Sequence, residues 1–230
     1  MRVIGVDGCP GGWVAVVWEI AAGTLSPRVH ASFTDLLDAY QDAAAIGVDI
    51  PIGLSEIGCR ACDSQARGVL RHRHPCVFNA PAPSFLDAPT YPEAQSRSRA
   101  LTGKGITKQA FAIYPKIAEV NRVMTSDLQD RVVEVHPEVS FCALAGHPLD
   151  HPKRKQTGYD VRRELLGSAL DVAIWPRNEA FGVARPAKPD DLLDATVAAW
   201  TDRRAAEGTA ERFPVAPPVD RRGLRMEIVY

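Results

Sequence analysis

The sequence predicts an α/β domain: a mixed sheet that opens as an antiparallel hairpin, continues in parallel strands, is flanked by helices and is interrupted by an inserted lobe. Three observations carry this. Two apolar, β-branched runs, Arg2–Asp7 and Trp13–Trp18, are joined by Gly8-Cys9-Pro10-Gly11-Gly12, the pattern of a hairpin. A third run, Ala45–Leu54, is a short apolar strand stopped by Pro51. From Ile57 to Ser126 the strand-helix alternation lapses into helices and proline-rich loop before a strand returns. We therefore expect one domain over residues 1–230, with residues 57–126 as an inserted basic lobe.

Composition suits that architecture. A chain of 230 residues with 46% hydrophobic content can bury about 70–75% of its extended surface without staples. Its five cysteines are odd in number and unevenly spaced, which argues for reduced thiols. No apolar leader or membrane-length apolar run is present, so a cytoplasmic protein with no membrane partner is expected. The net charge of −1 hides an asymmetry: residues 60–122 hold ten Lys/Arg against four acids, and the remainder 17 against 24. A basic segment on an acidic body is either a polyanion-binding surface or an ordinary solvated face.

Taken in order, the first strand carries a lone carboxylate, Asp7, beside three glycines that allow close backbone approach, and is either a ligand or a turn residue. A third strand is expected at Ser26–Ser32, then a helix from Phe33 to Tyr40 capped by Ser32 or Thr34. The Ala45–Leu54 strand again meets a carboxylate, Asp49; in a mostly parallel sheet, ligands gather at such strand ends. In the lobe we expect helices at Cys62–Leu70 and Gln109–Val120, separated by a loop from Pro75 to Pro92. Cys59, Cys62, His72, His74 and Cys76 lack the usual zinc spacing, and Gly103-Lys104-Gly105 lacks the frame of a phosphate loop. Arg131–Phe141 reads as a strand with Glu134, His136 and Glu138 on one face, unless Pro137 breaks it and Glu138 begins a helix. Lys153-Arg154-Lys155 is a short basic loop, and Gly158–Leu170 an amphipathic helix. A last helix begins at Pro189-Asp190. Asp191, Asp194, Ala195 and Ala198 share one side of it, where small alanines permit close approach to the strand ends.

Taken together, these pieces resemble a known family. Asp7 followed by Gly-Cys-Pro-Gly-Gly-Trp, the Val48–Leu54 strand, Arg60-x-Cys62-Asp63-x-x-Ala66-Arg67, Pro115-Lys116-Ile117-x-Glu119-Val120, Glu134–Glu138 and Asp191-x-x-Asp194-Ala195 look like domain-of-unknown-function family 429. Members of that family are regarded as ribonuclease H-like nucleases. The strand-one Asp and the Asp-x-x-Asp-Ala helix also resemble Holliday-junction resolvases. The resemblance implies a ribonuclease H-like sheet and Mg²⁺ or Mn²⁺ held by carboxylates, with Asp7 bridging, Asp49 and Asp194 flanking, and Asp191 or Glu134 completing one site. It further implies proton transfer by His136 and phosphate contacts from Arg67, Lys108 and Lys116, with DNA or RNA as partner; a homodimer is compatible with it. The first helix offers only Asp35, Asp38 and Asp42 where ribonuclease H proper carries a Glu.

Two other readings start from the same residues. An actin- or sugar-kinase-like phosphotransferase shares the Asp-plus-glycine hairpin, but needs a duplicated domain and a second phosphate hairpin, and neither is in the sequence. A catalytically silent nucleic-acid-binding protein would keep the fold and the basic lobe without the metal chemistry.

Overall fold

Strand β1 (Arg2–Cys9) turns through Pro10-Gly11 into β2 (Gly12–Glu19), with Cys9 opposite Gly12. Gly11 lies at φ +83°, where a side chain would strain the backbone, and a Cβ on Gly12 would run into the His30 carbonyl. Strand β3 (Thr24–His30) can therefore lie close along β2. The computed structural model describes all residues from Met1 to Tyr230. Beyond β1 the sheet changes direction: β4 (Ala45–Val48) runs parallel to β1 and β5 (Val132–Glu134) parallel to β4, giving the order β3-β2-β1-β4-β5.

Strand alternation divides the core between two faces. Ile4, Val6, Ile46, Val48 and Val132 point to one, beneath α1 (Phe33–Ala39). The Ser32 hydroxyl accepts from Asp35 N–H to cap that helix. Val3, Val14, Val16, Trp18 and Ala45 point to the other face.

The expected lobe is the connection between β4 and β5. It contains α2 (Ala61–Leu70), α3 (Tyr91–Thr102), α4 (Lys108–Ala112) and α5 (Tyr114–Val123). Phe85, Ala94, Tyr114, Ile117 and Val120 from this connection merge with the first face's core, so the segment roofs the sheet and shares its core. Pro92 stands in the first turn of α3, a position proline fits, which is why a proline-rich loop ends in a helix that the sequence reading did not foresee. The single helix expected at Gln109–Val120 divides at Ile113, ahead of Pro115.

The second face is covered by α6 (Pro137–Ala145), α7 (Gln156–Leu170), the unforeseen α8 (Arg177–Val183) and α9 (Pro189–Ala206). The strand expected from Arg131 to Phe141 ends after Glu134, because Pro137 opens α6 and places Glu138 in its first turn. A ribbon of β6 (Arg212–Phe213) and β7 (Ile228–Val229) closes the fold, with Val229 bridged to Val135.

Helix α9 comes down on two glycines. A Cβ on Gly5 would overlap the Ala195 carbonyl oxygen, and one on Gly47 would overlap the Asp202 carboxylate, which accepts the Gly47 N–H. Asp202 has no exposed surface and no cationic partner, so burial pushes its carboxyl well above the usual carboxylate range. Helix and strand are thus in backbone contact at the centre of the sheet.

Candidate metal centre

Asp7 lies two residues beyond Gly5 on β1, on the same face. Asp49 follows β4 with the parity of Gly47, and Asp194 precedes Ala195 on α9. The glycine seat beneath α9 therefore brings three carboxylates together. One ligand oxygen from each lies within 4.8 Å of the others. Asp7 and Asp49 are half-buried, whereas Asp194 is only 1% exposed. The Gly8 N–H donates to Asp7 Oδ1 at 2.6 Å.

Crowding acids out of water has the expected electrostatic result. Burial, reinforced by Asp49, holds Asp7 well above its usual pKa of 3.8. Burial raises Asp49 as well, opposed by His136 and Lys153. Neither oxygen of Asp194 has a partner in hydrogen-bonding geometry; the cation that meets it is Lys153, whose ammonium forms a close ion pair with Oδ2. Hard oxygen donors at this spacing, one of them buried with only the Lys153 ammonium against it, fit a divalent cation such as Mg²⁺ or Mn²⁺.

A model of the family described as Protein of unknown function (DUF429) matches residues 5–219. The chain belongs to that family. Comparison with curated proteins and with solved structures gives no match. The span shared with DUF429 includes Asp7, Asp49 and Asp194 together with both glycines on which α9 rests. No helix of this DUF429 chain is long and apolar enough to cross a membrane.

Three other residues singled out from the sequence lie at the edge of the cluster. Asp191 borders the cluster and contributes to the raised pKa of Asp7, but its Oδ2 caps α9 by accepting the Lys188 N–H at 2.9 Å. His136 lines a small cleft with Asp49, and its buried Nδ1 is unpartnered. Lys116 packs over the Trp13 ring at 4.3 Å, bonds the Gly12 carbonyl and lies close enough to feel Asp7 and Asp191, while burial lowers its pKa.

Glu134 is not brought to the cluster. It pairs in register with Val48, so it shares the face opposite Gly47, although it also borders the cleft of Asp49 and His136. Arg60 grips both its oxygens at 2.7 Å, and the Ile52 N–H donates to one of them. Arg67 is engaged with the Val77 carbonyl and Asn79 Oδ1, while Lys108 is exposed at the start of α4. Glu138 is taken by Arg162, which donates at 2.9 Å to both its oxygens.

Sequence reasoning missed two residues here. Arg60 was legible only as part of a helix-start motif, and Lys153 only as one member of a basic loop. Spacing along the chain holds no signal that would have joined Lys153 to Asp194.

Proposed function

We propose that this chain is a divalent-metal-dependent nuclease of ribonuclease H-like architecture that hydrolyses phosphodiester bonds in DNA or RNA. The observation that carries the reading is the convergence of Asp7, Asp49 and Asp194, from two adjacent parallel strands and the closing helix, to ligand distances within 4.8 Å. The strand order β3-β2-β1-β4-β5, antiparallel on one side of β1 and parallel on the other, supports the fold assignment.

In this reading Asp7, Asp49 and Asp194 hold the ion. Mg²⁺ or Mn²⁺ bound there supplies positive charge that activates water and steadies the leaving oxygen. His136, beside Asp49 with an unpaired ring nitrogen, is placed to move a proton. Lys116 is held at the cluster's edge by Trp13 and the Gly12 carbonyl, where it can meet a phosphate. Lys108 adds a free positive charge on the roof of the sheet.

The test is cleavage of labelled DNA and RNA oligonucleotides, single- and double-stranded, in Mn²⁺, with Asp194→Asn and Asp7→Asn as controls. Both variants should lose roughly a thousandfold or more in rate, since a metal supplies several kcal/mol and each 1.36 kcal/mol is tenfold. Nucleic acid that binds and is never cut would refute the nuclease and leave a silent binder. An ATP-induced thermal shift would favour the phosphotransferase.

A further inference from the structure

Lys153 reaches the carboxylate cluster from the loop between α6 and α7, and that loop is fastened at its base. Arg162, fully buried, donates to the His151 carbonyl at 2.8 Å, and the Lys155 N–H donates to the Pro152 carbonyl at 3.0 Å. Gly158 in α7 is seated so closely against Pro152 that a Cβ would overlap its carbonyl. The backbone around Lys153 is therefore fixed while its side chain extends into the cluster.

At its tip the ammonium pairs with Asp194 Oδ2, and its charge also opposes the raised pKa values of Asp7, Asp49 and Asp191. One monovalent cation thus serves four carboxylates. The buried pairs Arg60–Glu134 and Arg162–Glu138 behave differently, since each is held by two hydrogen bonds. Lys153 meets Asp194 through a single contact to Oδ2, and its side chain is 28% exposed, so a swing about its flexible stem carries it to solvent without moving the loop.

We propose that Lys153 is a built-in competitor for the metal. Its ammonium occupies Asp194 until a divalent ion takes the same oxygens, and metal binding displaces it. This inference rests on the metal-centre reading above and concerns how that centre is regulated. The competitor sets the divalent-ion concentration at which the centre loads, because each incoming ion must first break the Lys153 pair.

Two measurements test this. Calorimetric titration with Mn²⁺ should show Lys153→Gln binding more tightly than wild type by roughly 5- to 150-fold, the usual range for two coupled ligands. On the wild-type protein, an amine-acetylating reagent followed by peptide mass spectrometry should label Lys153 slowly in the absence of Mn²⁺ and several-fold faster at saturation. Exposed Lys108 provides the internal standard. Equal Mn²⁺ affinity in the two proteins overturns displacement and leaves the metal centre standing. Tighter binding by the variant with unchanged Lys153 labelling also overturns it, because the ion then sits beside the lysine. No Mn²⁺ binding by either protein overturns the centre and the competitor together. Labelling needs no variant, so the proposal stays falsifiable if Lys153→Gln fails to fold.

Discussion

Two buried charged groups lie at the same end of the sheet and are built on opposite principles. Around Arg60, which is 2% exposed, Glu134 receives two guanidinium bonds and the Ile52 N–H, Asp63 accepts from Nε, Nη2 and the Ala80 N–H, and the Ile52 and Gly53 carbonyls accept from Nη1. Around Asp194, Asp7, Asp49 and the nearby Asp191 crowd together, and the most buried carboxylate, Asp194, is met by a single ammonium, that of Lys153. Buried charge is tolerable where every lone pair is matched, and costly where it is not. The matched set ties β5 to the β4–β5 connection. The unmatched set is the one on which the proposed metal reading rests.

The sharpest way to break this comparison is to unmatch the matched set. Arg60→Ala should destabilise the protein by about 3–5 kcal/mol, the usual result of stranding a buried partner. Urea unfolding reads this, and Mn²⁺ affinity of the folded variant should stay unchanged. A variant of near wild-type stability would show that Glu134 and Asp63 are not held as charges.

A smaller effect of opposite sign is expected at the other set. Asp7→Asn removes like-charge crowding and should stabilise the fold at neutral pH by about 0.5–2 kcal/mol, the range common for single stabilising substitutions. The sign follows from the raised pKa of Asp7. Below about pH 3.8 both folded and unfolded wild type carry the proton, so the substitution gains nothing. As pH climbs past that value the unfolded chain ionises more readily than the folded one, and wild-type stability falls until the native pKa is passed. Thermal melts from pH 3 to 8 should show the two proteins diverging upward in pH; parallel curves would contradict the crowding.

The smallest expected effect extends the contrast to the roof of the sheet. Lys108 is exposed, whereas Arg67 already serves Val77 and Asn79. Lys108→Gln should flatten the log–log salt dependence of duplex DNA binding by about 0.9, and Arg67→Gln by much less. Fluorescence anisotropy at several salt concentrations measures both. Equal slopes in all three proteins would mean an ordinary solvated surface.

Much of the arrangement around Asp194 was legible because its determinants are local. Pro10-Gly11 marked the hairpin, Asp7 and Asp49 interrupted or followed apolar strands, and alanines flanking Asp194 signalled a helix that lies close to the sheet. Glu134 was misplaced because its face depends on pairing. Once Val48 and Glu134 stand in register, period two turns Glu134 to the face opposite Gly47, and no feature of β5 alone states that register. The periodic reading of Glu134, His136 and Glu138 also needed a strand that Pro137 ended, a break the proline itself announced. Lys153 was illegible for a different reason: its partner lies on another element, reached through the loop anchored by Arg162.

The contact of Gly5 with Ala195 also orders events in time. Asp7 precedes Asp194 by most of the domain's length, so the carboxylate cluster cannot assemble on a nascent chain until α9 has emerged and docked. The three carboxylates therefore remain apart until the residues through α9 have been made. A fold closed by α9 thereby keeps Asp7, Asp49 and Asp194 apart until that helix docks.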